Sequence, residues 1–322
     1  MGFLPREANL LPPSDDRVFK LLLTPVAAKP VLMDLISTVI GRPVVGVEVR
    51  NNEIPTDDTD EKAGRLDVNC KIDDGSQVDT EMAAARLQEE AAGKYENVIG
   101  KSVFYQCDLH ASQPAKGVRR YDKLAKTYQI TFCTYNIFPE RKAYFNSFAL
   151  RHDIDNGLLT DALHIMFIEL GKLKDIVAKP VDQMTELDKW AIFLRYAHEK
   201  EYREKVNEII AAKEVLQMAG EVLLNISKDE REQAVFRSRR MYETDLLSNL
   251  ATVEDRGVAR GMELGRVKGR TEGMEWGTMK SIRSLMDNMG LPFDRAMRIL
   301  NVPEEEGPKY RELLKNDNFL KS

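Results

Sequence analysis

The sequence contains few of the residues that build disulfide-linked or zinc-binding proteins. There are three cysteines and four histidines in 322 residues. The cysteines have no C-x-x-C spacing and lie in runs typical of a buried core, which indicates thiols of a reducing compartment. The histidines are too dispersed along the chain to indicate a zinc site.

Long apolar runs and an excess of positive charge are also absent. No apolar run approaches the roughly 18 residues that a membrane span requires. The first residues, MGFLPREANL, lack the apolar core of a secretion signal. We therefore expect a cytoplasmic protein. The formal net charge is −5, so binding to nucleic acid would require local basic patches.

The pattern of apolar residues predicts an α/β core followed by a long helical region. Hydrophobic residues make up 43% of the chain and charged residues 31%, as in globular proteins with a sizeable core. Alternation predicts strands at 44–50, 66–72, 77–82, 128–138 and 144–150, with a helix at 84–109. From residue 158 onward we expect an almost wholly helical chain, in which His164 is a core histidine on an apolar helix. The expected domains are 1–155, 156–252 and 253–322.

Two acidic residues lie on the arms of a predicted β-hairpin. The strands flank Asp73-Asp74-Gly75-Ser76, and Asp-Gly is a strong hairpin signal. The hairpin would bring Asp67 and Glu81 onto neighbouring strands, where two carboxylates suit a hard divalent cation. Carboxylates on a hairpin face are more often simply solvated, and spacing alone does not decide between the two interpretations.

This hairpin resembles a known catalytic motif. Asp67, the Asp-Gly turn and Glu81-Met82 are similar to the D…E-x-K/Q core of the PD-(D/E)XK nuclease superfamily. They resemble more narrowly the recombination-promoting nuclease, or transposase-like, family, whose third strand reads Glu-Met-Gln. Three further segments resemble the family in the same order along the chain, namely Asp16-Arg17-Val18-Phe19-Lys20, Ile168-Glu169-Leu170-Gly171-Lys172 and Leu187-Asp188-Lys189-Trp190.

The resemblance implies a restriction-endonuclease-like mixed β-sheet flanked by helices. It also implies a Mg²⁺-dependent DNA endonuclease of a mobile-element or phage-defence type, with Mn²⁺ as an alternative ion. Asp67 and Glu81 would hold the metal, and Asp16 and Glu53 are candidates for further ligands. Asp16 is equally well explained as a first-turn acid favoured by the helix dipole, and Glu53 as a loop residue.

Ala83 departs from the family pattern. The family has Gln or Lys at this position, which orients the attacking water or contacts the phosphate, and an alanine side chain can do neither. The missing group could have migrated to the following helix, where Lys94, Lys101 and Gln106 are candidates. Alternatively, the chain is a catalytically silent DNA-binding or oligomeric interaction protein. In the third explanation, Ala83 is an introduced substitution.

The charge changes sign along the chain. Residues 53–81 contain ten acidic and three basic residues, whereas residues 84–130 contain eight basic and five acidic ones. An acidic metal-binding lip beside a basic segment is what a nuclease requires. Lys94, Lys101 and Tyr105 fall close to one face of the predicted helix. Together with Arg119 and Arg120 they are candidates for DNA phosphate contacts, although such residues are usually solvated charges and half-buried rings.

Six glycines recur every fourth residue near the C-terminus: Gly257, Gly261, Gly265, Gly269, Gly273 and Gly277. Each glycine costs a helix about 1 kcal/mol relative to alanine. A stripe of glycines would let a second helix approach closely. Pairing with another chain is therefore one interpretation and disorder the other. We expect a homo-oligomer formed through the helical C-terminal region.

Overall fold

A mixed six-stranded β-sheet runs through the N-terminal part of the chain. The computed structural model describes residues 3–50, 68–84, 95–113 and 120–319. The sheet order is β1-β2-β3-β4-β6-β5, in which β3, β4 and β6 are parallel and the other neighbours antiparallel. This arrangement confirms the predicted mixed α/β fold. The strands are β1 (Val47–Val49), β2 (Val68–Ile72), β3 (Gln77–Ala83), β4 (Thr127–Cys133), β5 (Phe145–Phe148) and β6 (Leu163–Glu169).

Helices flank the sheet and make up the C-terminal part of the chain. Their ends follow local signals: Asp15 caps α1 by accepting bonds from two backbone N–H groups, and Thr185 and Asp188 form a capping box at α5. The described helices are α1 (Asp16–Leu23), α2 (Lys29–Ile40), α3 (Tyr95–Ala111), α4 (Lys174–Val177), α5 (Glu186–Tyr196), α6 (Arg203–Ala211), α7 (Glu214–Lys228), α8 (Glu230–Met289), α9 (Phe293–Ile299) and α10 (Gly307–Phe319).

The predicted β-hairpin is present as β2 and β3. The turn between them includes Gly75, whose φ of 89° lies in the left-handed region that glycine adopts without a steric penalty. The described antiparallel register runs from Lys71 opposite Gln77 to Val68 opposite Thr80. The sequence prediction for this pair of strands is confirmed.

Residues 163–169 form strand β6, so the prediction of a helix there is wrong. The run LHIMFIE is apolar and short, and such a run satisfies the periodicity of a buried strand as well as that of a helix. Pairing decides the matter, because β6 lies between parallel β4 and antiparallel β5. His164 consequently lies on a strand, where its ring stacks on Tyr128 at 5.2 Å between centroids.

The main hydrophobic core covers one face of the sheet. The even-numbered residues of β2, β3 and β4 point into it, as the period-2 geometry of a strand requires. Helices α1, α2, α5, α6 and α7 supply the other side of this core. The rings of Phe19 in α1 and Phe132 in β4 pack at 5.6 Å between centroids. Consequently, the odd-numbered strand residues face the opposite layer.

The chain divides into two compact units, Met1–Thr244 and Asp245–Ser322. The boundary falls within α8, which contains all six of the regularly spaced glycines. In the second unit, the last turns of α8 pack against α9 and α10 around Met279, Ile282, Ala296, Met297 and Tyr310. The three-part division expected from the sequence stays a prediction.

Among the described helices, none is by itself both long enough and apolar enough to cross a membrane. By length and composition alone, α1 taken together with residues 26–40 would qualify as a pair bent by 81°.

Candidate active site

Polar side chains line the face of the sheet that α3 covers. On β3 these are Gln77, Asp79 and Glu81, and on β4 they are Thr127, Gln129 and Thr131, all of them buried. The register places Asp79 beside Gln129 and Glu81 beside Thr131. A buried layer of this kind is unusual, because polar groups are costly to bury unless they are hydrogen-bonded. The layer therefore requires partners, and α3 supplies several of them.

Hydrogen bonds fix α3 over this polar face. The Gln106 amide donates to the Thr127 carbonyl at 3.0 Å and to its hydroxyl at 2.7 Å. One turn earlier, the Ser102 and Thr131 hydroxyls are 3.1 Å apart. Gln106, a sequence candidate for the missing catalytic group, is thus engaged with β4. These directional bonds set both the height and the rotation of the helix on the sheet.

Lys101 projects from α3 onto Glu81. The Lys101 ammonium donates a hydrogen bond to Oε1 of Glu81, and the two groups form an ion pair. The Glu81 side chain is 11% exposed and that of Lys101 43%. The carboxylate is therefore held in place, whereas the ammonium has access to solvent. Lys101 also lies 5.3 Å from the ring centroid of Tyr105, one turn further along α3.

Ala83 lies at the end of β3, two residues after Glu81. Its position is opposite Cys133 of β4, and its carbonyl accepts a hydrogen bond of 3.1 Å from Thr134. The side chain packs beside a small apolar cluster that includes Cys133 and Phe167. A methyl group neither donates nor accepts a hydrogen bond, so Ala83 offers Glu81 no polar contact. Among the described contacts, the cationic group that reaches Glu81 is the Lys101 ammonium.

Several buried polar atoms in this layer have no hydrogen-bond partner among the described residues. They are both side-chain polar atoms of Gln129, Oδ1 of Asn69 and Oε1 of Gln106. Asn69 and Gln129 flank Asp79 in the register of β2, β3 and β4. A buried acceptor without a partner costs roughly 1–3 kcal/mol. This unused hydrogen-bonding capacity within the polar layer suits a hydrated ligand.

The chemistry of the layer fits a hard cation. Carboxylate and amide oxygens are the ligands of Mg²⁺, which is usually held by one or two carboxylates and keeps several waters. Among the described residues, no group of three or more His, Cys, Asp or Glu side chains comes close enough to form a full cage. Burial and the Asp79 charge raise the pKa of the Cys70 thiol to about 12. That thiol stays protonated and is a poor metal ligand.

Four of the residues predicted from the sequence, Glu53, Asp67, Lys94 and Arg119, lie outside the described part of the chain. The described β2 begins at Val68, one residue after Asp67. Their proposed roles as metal ligands and phosphate contacts stay predictions.

Asp16 and Arg120 are both described, and each has an ion-pair partner. The Asp16 carboxylate lies 2.9 Å from the Arg239 guanidinium of α8 and accepts a second bond from it at 3.1 Å. Arg120 lies on the surface and donates to Asp122 at 2.6 Å and 3.1 Å. The structure therefore gives Asp16 a role in attaching α8 to α1. Its predicted role as a metal ligand remains untested, as does the predicted phosphate contact of Arg120.

Sequence reasoning did not single out Asp79 or Gln129. A signal for Asp79 was available, because it lies two residues before Glu81 and so shares its face of the strand. Gln129 is a polar residue in the middle of an otherwise apolar and β-branched run, which is a weaker signal. Neither residue could be linked to the other without the β3–β4 pairing.

The buried Glu169 carboxylate has a structural role in the described contacts. Oε1 of Glu169 lies 2.7 Å from the Lys172 ammonium and accepts a bond of 2.9 Å from Asn146. Its Oε2 accepts a bond of 3.0 Å from the backbone N–H of Phe138. This carboxylate therefore ties β6 to the 134–144 connection. The Ile-Glu-Leu-Gly-Lys motif thus has a structural role in the described contacts.

A mixed sheet carrying a buried carboxylate at the end of a hairpin strand, covered by one helix, defines a nuclease-type α/β core. Comparison with protein families agrees, because the family model described as PD-(D/E)XK nuclease family transposase matches residues 13–253. The chain belongs to this family. Comparison with curated proteins and with solved structures gives no match.

Proposed function

We propose that this chain is a divalent-metal-dependent DNA endonuclease that hydrolyses phosphodiester bonds. In this proposal Asp67 and Glu81 hold Mg²⁺, or Mn²⁺, and Lys101 replaces the group missing at Ala83. The contact between Lys101 and Glu81 is the observation that carries the proposal. It supplies a cationic donor next to the buried carboxylate, where the family motif places a Lys or Gln.

The proposed chemistry divides between the ion and the side chains. A divalent ion supplies Lewis acidity to a phosphoryl group and acidifies water. Glu81 contributes a fixed negative charge, because its side chain is buried and bonded. Lys101 contributes three donors on a flexible stem, and its exposed side chain can turn from Glu81 to a phosphate oxygen. The Tyr105 ring next to the ammonium limits the directions in which Lys101 extends.

DNA is the proposed substrate because the family is one of nucleases. The basic residues of α3 and of the following connection would contact its phosphates, as the sign change in charge along the sequence suggests. Arg120 would have to exchange its exposed partner Asp122 for a phosphate. Such an exchange costs little, because exposed ion pairs contribute little to stability. We further propose that the protein works in the cytoplasm as a homo-oligomer.

A second candidate function is DNA binding without cleavage. The Lys101 ammonium neutralises Glu81, and Ala83 carries no functional group, so both observations also fit a silent member of the family. In that case the protein would bind DNA through its basic residues. Neither the unmodified chain nor any variant at the site would cut it.

Plasmid nicking in the presence of Mg²⁺ separates the two candidates. We expect slow cutting by the unmodified chain and none by Asp67→Ala. Loss of one positioning group lowers the rate by about 10²–10³, so Lys101→Met should reduce cutting by about this factor. Ala83→Gln should increase cutting. Lys71→Met is the matched control, because Lys71 is exposed on the same sheet at the turn end of the hairpin.

Three outcomes would contradict the proposal or one of its parts. If no variant cuts but all retard DNA on a gel, the silent alternative holds. If Lys101→Met and Lys71→Met cut equally well, Lys101 does not replace the missing group. Cutting that persists in Asp67→Ala would exclude the predicted metal site.

A further inference from the structure

Residues 245–274 of α8 form a helical segment that no other described part of the chain covers. Each side chain that the structure describes in this segment is exposed. The exposed set includes large apolar residues, namely Leu246, Val253, Val258, Met262, Leu264, Val267 and Met274. An isolated helix with several glycines and this much exposed apolar surface is poorly stable. We call residues 245–274 the bare segment.

Apolar residues recur in the bare segment with heptad spacing. Leu246, Val253, Val267 and Met274 are separated by multiples of seven residues, and Leu264 lies three residues before Val267. This alternation of three- and four-residue steps is the pattern of a coiled coil with Leu246, Val253, Val267 and Met274 at d positions. These five side chains lie on one exposed seam, whose other described core positions between them are Gly257 and Thr271 at a and Arg260 at d.

The glycine stripe follows a different path. Four residues advance 400° around a helix, so each glycine is displaced by about 40° from the one before it. From Gly257 to Gly277 the stripe turns by about 200° and leaves the seam after its first member. A period of four and a period of 3.5 also favour opposite supercoil hands. A partner can therefore follow the seam or the glycines, but not both.

Charged residues beside the seam distinguish the possible partners. Glu263 and Arg270 occupy g positions, and Lys268 and Glu275 occupy e positions five residues further on. In a parallel, in-register pair of identical helices, each g residue faces the e residue of the following heptad on the other chain. Glu263 would then face Lys268, and Arg270 would face Glu275, on both sides of the pair. An antiparallel pair keeps only the contacts between Glu263 and Arg270.

Within one chain three of these charges already have described partners, namely Glu263, Lys268 and Glu275. Glu263 bonds to Arg266 at 2.9 Å, and Lys268 lies 3.8 Å from Glu272. Such exposed contacts within a helix contribute little to stability. Glu275 pairs with Lys309 of α10, and Arg270 of the second copy would have to displace or share that lysine. Arg260, at a d position in the middle of the seam, would face its own copy. That contact costs stability, but a polar residue at one core position fixes the register of a coiled coil.

We propose that residues 246–274 form a parallel, in-register, two-stranded coiled coil with the same segment of a second copy of the chain. This inference deepens the homo-oligomer proposed above, since it names the surface, the partner and the orientation. It is independent of cleavage, because its test measures mass and cross-linking without DNA or metal.

Cross-linking tests the seam. In a full-length Cys107→Ser background, which removes the exposed native thiol, Met274→Cys should give a disulfide-linked dimer on mild oxidation. Met262→Cys is the matched control, because Met262 is 71% exposed on the outer side of the same segment. We expect little cross-linking from it. Equal cross-linking of the two variants, or none from Met274→Cys, would overturn the proposal.

Charge exchange tests the orientation by sedimentation equilibrium. Glu263→Lys replaces two attractive contacts per dimer with repulsive ones and should raise the dimer dissociation constant roughly tenfold. The double variant Glu263→Lys with Lys268→Glu should restore dimerisation in the parallel arrangement only. A double variant as weak as the single one would overturn the parallel orientation. A monomeric unmodified chain would overturn the whole proposal, whatever the result of the nicking assay.

Discussion

The Asp15 carboxylate offers a quantitative test of how α1 is held. Its side chain is 20% exposed and caps α1 through bonds of 3.0 Å and 3.1 Å from Arg17 and Val18. Burial and the neighbouring Asp16 raise the pKa of Asp15 to about 6, although Arg239 opposes the rise. The folded protein therefore holds a carboxylate that is less stable in its charged form than it would be in the unfolded chain.

The size of this effect follows from the pKa. At about 1.4 kcal/mol for each tenfold change in proton affinity, the rise from 3.8 to about 6 corresponds to about 3 kcal/mol. Because the folded pKa is the higher one, this cost is absent below about pH 4 and grows as the pH rises through 6. Asp15→Asn keeps a carbonyl oxygen for the cap and removes the charge. We expect it to be more stable than the unmodified chain by up to about 3 kcal/mol at pH 8, with no difference at pH 4.

Urea unfolding followed by the fluorescence of Trp190 measures the difference. Trp190 is fully buried in the first unit, and a Trp276→Phe background removes the signal from the second. Asp16→Asn is the comparison variant, because it removes both the ion pair with Arg239 and the charge that helps to raise the pKa of Asp15. Any stability gain that it gives at pH 8 should therefore be smaller than that of Asp15→Asn. A stability gain in Asp15→Asn that does not depend on pH would refute the reasoning, as would no gain at pH 8.

Three further predictions concern the site and its scaffold. Glu169→Gln leaves the buried Lys172 ammonium without its counter-charge and should cost about 3–5 kcal/mol in urea unfolding; a cost below 1 kcal/mol would contradict the buried pairing. Glu81→Gln should abolish binding of Mg²⁺ in calorimetric titration. Lys101→Met should retain or strengthen that binding, because an ammonium and a divalent ion on one carboxylate repel each other. Retained binding in Glu81→Gln would exclude Glu81 as a ligand. Gly75→Ala places a Cβ at a φ of 89° and should lower the unfolding free energy by about 1–2 kcal/mol, and unchanged thermal unfolding would contradict this strain.

The hairpin could be predicted from the sequence because its determinants are local. The Asp-Gly turn and the alternation on each side specify the two strands, and the alternation also specifies which residues share the face of Glu81. Strand β6 could not be predicted in the same way. Its run of seven residues is compatible with two periodicities, and its partner β4 precedes it by about 30 residues in the chain. Only tertiary pairing distinguishes the two.

The candidate site was predicted only in outline. Glu81 and the possibility of a lysine on the next helix follow from the motif and its missing third residue. The choice of Lys101 over Gln106 depends on the rotation of α3, since Gln106 bonds to Thr127. Likewise, the local sequence makes Asp16 an acid in the first turn of a helix, but its partner Arg239 is more than 200 residues away.

The polar contact between α3 and the sheet has a consequence for the alanine at position 83. A helix that packs on a sheet only through apolar contacts can shift along it at a small cost in free energy. A helix that is also hydrogen-bonded through Ser102 and Gln106 has a single favoured position. Slippage by one turn would move Lys101 by about 5.4 Å, far enough to lose Glu81. In the function proposed above, this amine arrives from outside the strand, so the residue at position 83 would not need to carry one.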